Sequence, residues 1–286
     1  MLHTSWFKVA IFFAAWATLW LPIAFGVARF ISWQPNVTPT PKQKLILLAS
    51  LYVLVPIVIG WKTRVEFLSF AELGLISLSD IIPYLVEGLI LSLTSTIAVF
   101  SWLSVCNLVH WQGQNVGRLL PLFIPLLCLS LLISFVEELV FRGYVFYTLS
   151  TDSTVIIAAI ASSLVFALLH LIWERKQTLP QIPGLWLMGM VLVAARIIAD
   201  DSIYLAVGLH AGWICSLTCI DSAELITYNY QNHWITGINR QPLAGIAGIV
   251  CLTVTGLAMW LGTTHNLLGF YSSFPLTGLR FYLLKS

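Results

Sequence analysis

Long apolar runs separated by short polar breaks recur along the whole chain. A helix that crosses a bilayer needs about 20 predominantly apolar residues. Eight runs meet or approach that length: 7–28, 44–61, 85–109, 119–149, 154–173, 184–199, 203–220 and 243–263. The pattern predicts an all-α, polytopic membrane protein with about eight transmembrane helices. The first run has too long an apolar core for a signal peptide and lacks a clear small-residue cleavage site, so it reads as a helix. Residues 62–83 mix charges with apolar positions and are expected to form an amphipathic interfacial stretch. No internal repeat, low-complexity tract or soluble domain is visible.

Composition agrees with the pattern. Of 286 residues 59% are hydrophobic and 9% charged, against about 25% charged in soluble domains. Mean hydropathy is +0.91. A net charge of +2 gives no reason to expect a nucleic-acid partner, and the lipid bilayer is the expected surrounding. The five cysteines lie in or beside apolar runs, where a free thiol behaves as a small hydrophobe. Cys215 and Cys219 are spaced i,i+4, but no second thiol or histidine pair completes a metal site around them. With eight spans, the loops 29–43, 110–118, 174–183 and 221–242 share one side and carry Arg29, Lys42, Arg118, Arg175, Lys176 and Arg240. The other side has Lys8, Lys62, Arg64, Arg280 and Lys285, with Arg196 near it. The excess makes the first side cytoplasmic.

The fourth run contains "LLISFVEELVFRGYVFYTL", residues 131–149, where Glu137, Glu138 and Arg142 are the only charges. Each charge at a bilayer centre costs roughly 2.5–3.5 kcal/mol or more, so something must offset all three. On a helix Glu138 and Arg142 are i,i+4 neighbours and can pair. Glu137 is turned about 100° from Glu138 and is left to face elsewhere. One paired and one free carboxylate is what a general base wants. The next run ends in "SSLVFALLHLIW". Glu137 and His170 lie roughly 22 and 27 Å from a turn expected near 151–153, a similar depth in an antiparallel hairpin. His210 lies near the middle of "VGLHAGWICSL". A carboxylate and two histidines at compatible depth can poise a water for attack on a carbonyl. A lone Glu–Arg pair or a lone buried histidine would equally serve as interhelical glue.

These residues resemble the CPBP intramembrane proteases, the CAAX-processing and bacteriocin-processing family. "EELVFRG" at 137–143 is similar to its E-E-x-x-x-R motif, "FALLH" at 166–170 to its F-x-x-x-H motif, and "LHAGW" at 209–213 to its third motif, a histidine followed four positions on by a polar residue. The resemblance divides the chain into N-terminal transmembrane helices with the amphipathic linker (1–114), a protease-like core (115–263) and a short tail (264–286). It implies that Glu137 activates water with His170 as co-base, that Glu138 and Arg142 support the site, and that His210 stabilises an oxyanion. It implies a membrane-embedded or lipid-anchored protein substrate, while the depth of Glu137 and His170 and the loop charges put the expected site in the cytoplasmic half of a multi-pass cell-membrane protein. A metal-free mechanism without cofactor is favoured. Glu137, His170 and His210 could alternatively hold zinc, having suitable ligand types. No H-E-x-x-H occurs, against a site-2 type metalloprotease.

One position departs from the family. Ile214 stands four residues after His210, and can neither donate to an oxyanion nor bind a metal. Arg196 could substitute electrostatically, or could pair with Asp200 at i+4. The leading expectation is an intramembrane endopeptidase. The alternatives are an inactive relative acting as a membrane peptide-binding or immunity module, and a proton- or ion-coupled transporter. The last has no inverted repeat or broken-helix pair in its favour.

Overall fold

The computed structural model describes residues 4–34, 37–75, 78–173, 175–230 and 233–270, with side chains described except at 78–80 and 263–270. The helices are α1 Ser5–Phe30, α2 Pro41–Tyr52, α3 Val55–Glu66, α4 Leu78–Val105, α5 Val116–Glu138, α6 Tyr147–Asp152, α7 Val155–Leu169, α8 Arg175–Thr178, α9 Ile182–Ile198, α10 Tyr204–Ser222 and α11 Ile246–Phe270. A π-helical segment, Leu139–Phe146, joins α5 to α6. The chain is thus an all-α, polytopic membrane protein. Outside the helices, β1 Val109–Trp111 and β2 Ile226–Tyr228 pair antiparallel, with His110 opposite Thr227.

Among the described residues seven helical elements are long and apolar enough to cross a membrane, against the expected total of about eight. The eighth expected run corresponds to α11, of which Ile246–Gly262 is apolar and the side chains at 263–270 lie outside those described. Residues Pro242–Ala244 coil into a separate turn, and Gly245 is extended, so the helix does not begin at 243. The second span is broken. Pro56 has no N–H to give to the carbonyl of Tyr52 four residues back, so α2 stops at Tyr52 and α3 restarts at Val55. Thr40 and Gln43 form a capping box, with Pro41 at the first helical position, which sets where α2 begins.

Of the expected amphipathic stretch 62–83, residues 62–66 complete α3 and 78–83 begin α4. Lys62 and Glu66 are the last turn of α3, where both side chains are buried and ion-paired. Tyr144 donates to Glu66 at 3.0 Å. These charges are satisfied inside the protein, so no headgroup-facing helix is needed. The chain then turns through Phe67, in the left-handed conformation, and the third span begins at Leu78 rather than 85. The expected tail 264–286 lies outside the described residues, except for the backbone of α11 up to Phe270.

The inner helix is α10, whose residues Leu205 to Trp213 are all buried. It packs on α4 and α5, while α9 packs on α7 and α11. The α4–α10 contact is backbone against backbone. A Cβ on Gly88 would stand 2.5 Å from the Leu205 carbonyl oxygen, and one on Gly208 would collide with that of Leu85. Small residues permit such approach, and dispersion rewards it in lipid. The glycines at 208 and 212 thereby fix the rotation of α10 and commit His210 to the opposite side.

The π segment is held from outside. Arg196 on α9 is buried and donates to the carbonyls of Arg142 and Gly143, the latter at 3.1 Å, and to the Glu72 carbonyl at 2.8 Å. π-bulges often accompany functional sites, and this one directly follows Glu137 and Glu138. The expected pairing of Arg196 with Asp200 does not form. Helix α9 ends at Ile198, Asp200 and Asp201 take left-handed conformations, and it is Asp201 that lies 3.8 Å from Nε.

Candidate active site

The last turn of α5 ends in Glu137 and Glu138. Glu138 is fully enclosed and its Oε1 accepts from Arg142 at 2.9 Å. The guanidinium also donates to the Gly189 carbonyl at 3.3 Å and lies over the Phe166 ring, 4.4 Å from its centre. A buried charge is tolerable only when paired and hydrogen-bonded. Arg142 neutralises Glu138, as i,i+4 spacing allows, and leaves Glu137 unpaired with it.

His210 comes from α10. Its Nδ1 lies 2.8 Å from Glu138 Oε1 and its Nε2 3.7 Å from Glu137 Oε2. A carboxylate oxygen accepts, so Nδ1 carries the proton and Nε2 is the nitrogen left to do chemistry. Glu138 therefore orients His210 as well as Arg142. His170 follows the last residue of α7, and its Nδ1 donates to the Phe166 carbonyl at 2.8 Å. The same tautomer argument leaves its Nε2 as an acceptor. The Phe166 ring lies 4.6 Å from the His170 ring and 5.9 Å from the His210 ring, both edge-on. The F and H of F-x-x-x-H thus work together: the ring packs against Arg142 and both imidazoles, and the carbonyl sets the tautomer of His170. The turn expected near 151–153 is present, with Thr154 capping α7 through a bond from Ile157 N–H.

Glu137, His170 and His210 all line one cavity of about 530 Å³, whose wall is otherwise mostly apolar. Glu138 contacts both Arg142 and His210, and His210 in turn faces Glu137. His170 reaches them through Phe166 and the shared cavity. Ile214 lines the same cavity. Arg196 does not; its terminal nitrogens donate to the π segment and the Glu72 carbonyl, and its Nε faces Asp201. Among the described residues no three His, Cys, Asp or Glu side chains are grouped so as to hold one metal ion. The trio considered for zinc is therefore not arranged as a ligand set here, and no step below runs through a metal. Cys215 and Cys219 lie buried, their sulfurs 4.0 Å apart.

One residue escaped the sequence reading. Tyr52, from the break between α2 and α3, donates its hydroxyl to Glu137 Oε1. Its signal was a single phenol in the otherwise apolar run "LILLASLYVLVPIV". The N-terminal helices, which match no motif, thus complete the site.

The family model described as Rce1-like, "Type II CAAX prenyl endopeptidase Rce1-like", matches residues 119–215. No curated protein and no solved structure matches the chain. The matched segment begins in α5, ends in α10 and contains all three motifs. Through that segment, about a third of its length, the chain is similar to the Rce1-like family, consistent with the CPBP family that its motifs resemble.

Proposed function

We propose that this protein is an intramembrane endopeptidase that cleaves a membrane-embedded or lipid-anchored protein near its C-terminus. The family match implies CAAX-type endopeptidase activity. The observation that carries the mechanism is Glu137, a carboxylate not committed to Arg142, facing His210 Nε2 at 3.7 Å in an apolar cavity. In low dielectric the cluster is neutral when Arg142 offsets Glu138 and one proton offsets Glu137. With that proton on His210, Glu137 is free to act as base, and His210 presents an Nε2–H.

In the reaction Glu137 takes a proton from water as the water oxygen bonds to the substrate carbonyl carbon. The C=O π pair moves to oxygen, and His210 Nε2–H donates to the oxyanion. Collapse of the tetrahedral species breaks the C–N bond, and the proton held by Glu137 passes to the leaving nitrogen. His170 Nε2 accepts from the same water and positions it. The apolar wall suits a substrate that arrives with a hydrophobic tail.

The cell membrane is the proposed location, with the site opening toward the cytoplasmic half. Lys62 and Arg196, which counted against that orientation, are buried and internally bonded rather than exposed to headgroups. This strengthens the cationic excess on the opposite loops.

The test is cleavage of a prenylated CAAX reporter peptide by purified protein in proteoliposomes. Cleavage should vanish in Glu137→Gln and survive exhaustive chelation. Activity lost on chelation and restored stoichiometrically by zinc would replace the metal-free mechanism. A second reading rests on Ile214 in the cavity wall: an inactive relative that binds membrane peptides. Saturable reporter binding with no cleavage in either protein would favour it.

A further inference from the structure

We propose that Tyr52 is a catalytic residue, supplying the hydroxyl donor to the oxyanion that position 214 does not; this rests on the protease reading above. Transition-state charge on the carbonyl oxygen needs donors aimed at it in a dry site. His210 has one nitrogen left for that task, because Nδ1 is committed to Glu138. His170 has Nδ1 committed to Phe166, so its remaining nitrogen accepts rather than donates. Ile214 lines the cavity and has no donor at all. Tyr52 lines the same cavity, and its O–H already sits on Glu137 Oε1, while His210 Nε2 faces Oε2. Two donors therefore flank the two oxygens of one carboxylate, on either side of where the attacking water must stand.

The switch follows from acceptor strength. Before reaction the ionised Glu137 is the stronger acceptor and holds the tyrosine O–H. When the O–H bond of water breaks and its proton moves to Glu137, the neutral carboxyl becomes a weak acceptor. At the same moment the C=O π pair moves to the substrate oxygen and creates a stronger one. The Tyr52 hydroxyl turns to that oxyanion and keeps its own proton throughout. When the C–N bond breaks and Glu137 gives its proton to the leaving nitrogen, the hydroxyl returns to the carboxylate. Placement at the α2–α3 break supports this role. The hydroxyl belongs to a helix outside the family-matched segment, so the N-terminal part brings to the cavity a donor that position 214 lacks.

The experiment uses the full chain in proteoliposomes with a prenylated CAAX peptide carrying a fluorophore and quencher. Wild type, Glu137→Gln, Tyr52→Phe and Tyr52→Phe/Ile214→Asn are compared for kcat, KM and thermal stability. Tyr52→Phe should lower kcat about 100- to 1000-fold, as for loss of one oxyanion donor, with KM and stability close to wild type. Adding Ile214→Asn should restore at least roughly a tenth of the lost rate by replacing the donor. A merely structural tyrosine would not be rescued by a new amide at 214. The proposal is overturned if Tyr52→Phe keeps wild-type kcat, raises only KM, fails to fold, or is not rescued by Ile214→Asn. If wild type shows no Glu137-dependent cleavage, the protease reading itself falls. If Glu137→Gln is dead while Tyr52→Phe is fully active, only the role of Tyr52 falls.

Discussion

Replacing Glu138 by alanine should separate stability from catalysis. The substitution leaves Arg142, 1% exposed, without its counter-ion. What remains is the Gly189 carbonyl at 3.3 Å and the Phe166 ring at 4.4 Å. A desolvated cation–π contact is worth about 2 kcal/mol, whereas stranding one member of a buried ion pair costs about 3–5 kcal/mol. The ring contact exists in the wild type already, so it does not offset the loss. The expected fall in apparent Tm is on the order of 10 °C, read by circular dichroism in detergent at one scan rate. Replacing both partners removes the stranded charge, so Glu138→Ala/Arg142→Met should recover most of that loss. It should not recover activity, because His210 Nδ1 still lacks the Glu138 oxygen that orients it. Unchanged stability of Glu138→Ala, or a double variant less stable than the single, would refute the reasoning.

Gly208→Val should destabilise by about 1–3 kcal/mol through overpacking against the Leu85 carbonyl, whereas Gly117→Ala, where a Cβ meets nothing within 4 Å, should match wild type in the same melting assay. Outside the spans, the Glu72 carboxyl is held below its ordinary value of 4.5 by the Tyr147 hydroxyl first, then by the Ser69 N–H and hydroxyl. A depressed pKa means that the folded state favours the ionised form, so this contribution is present above the ordinary value and lost as pH falls through the lowered one. Wild type should therefore melt above Glu72→Gln at about pH 7, and the gap should close as acidification passes below the ordinary carboxylate range. A gap of constant size across that range would show that Glu72 acts through packing alone.

Much of the site was readable because it is local. Glu138 and Arg142 meet through i,i+4 spacing, and the hairpin that brings α7 beside the π segment follows from the short polar break at 151–154. His210 was recognisable as a polar residue in an apolar run, but its contact with Glu138 spans 72 residues of sequence. The extent of the second span was misjudged because Lys62 and Glu66 look like interfacial charges until their burial is seen. The π register of 139–146 has no residue signature, since it is imposed by Arg196 from another helix. The β1–β2 pairing was likewise unannounced, as each strand is three residues long.

By itself the sequence determined that the chain is a helical membrane protein, roughly where it crosses, and that one helix carries a carboxylate pair with an internal counter-charge. Those properties depend on transfer from water to lipid and on spacing along a single helix, both of which are written residue by residue. Only the tertiary structure decided that Tyr52, 85 residues from Glu137, completes the site, that Arg196 clamps a backbone instead of serving the cavity, and that Ile214 occupies its wall. Those facts depend on the rotation of each helix about its axis. Rotation is set by how closely neighbouring backbones can approach, as at Gly88 and Gly208, and by which distant carbonyls and carboxylates need a donor once water is gone.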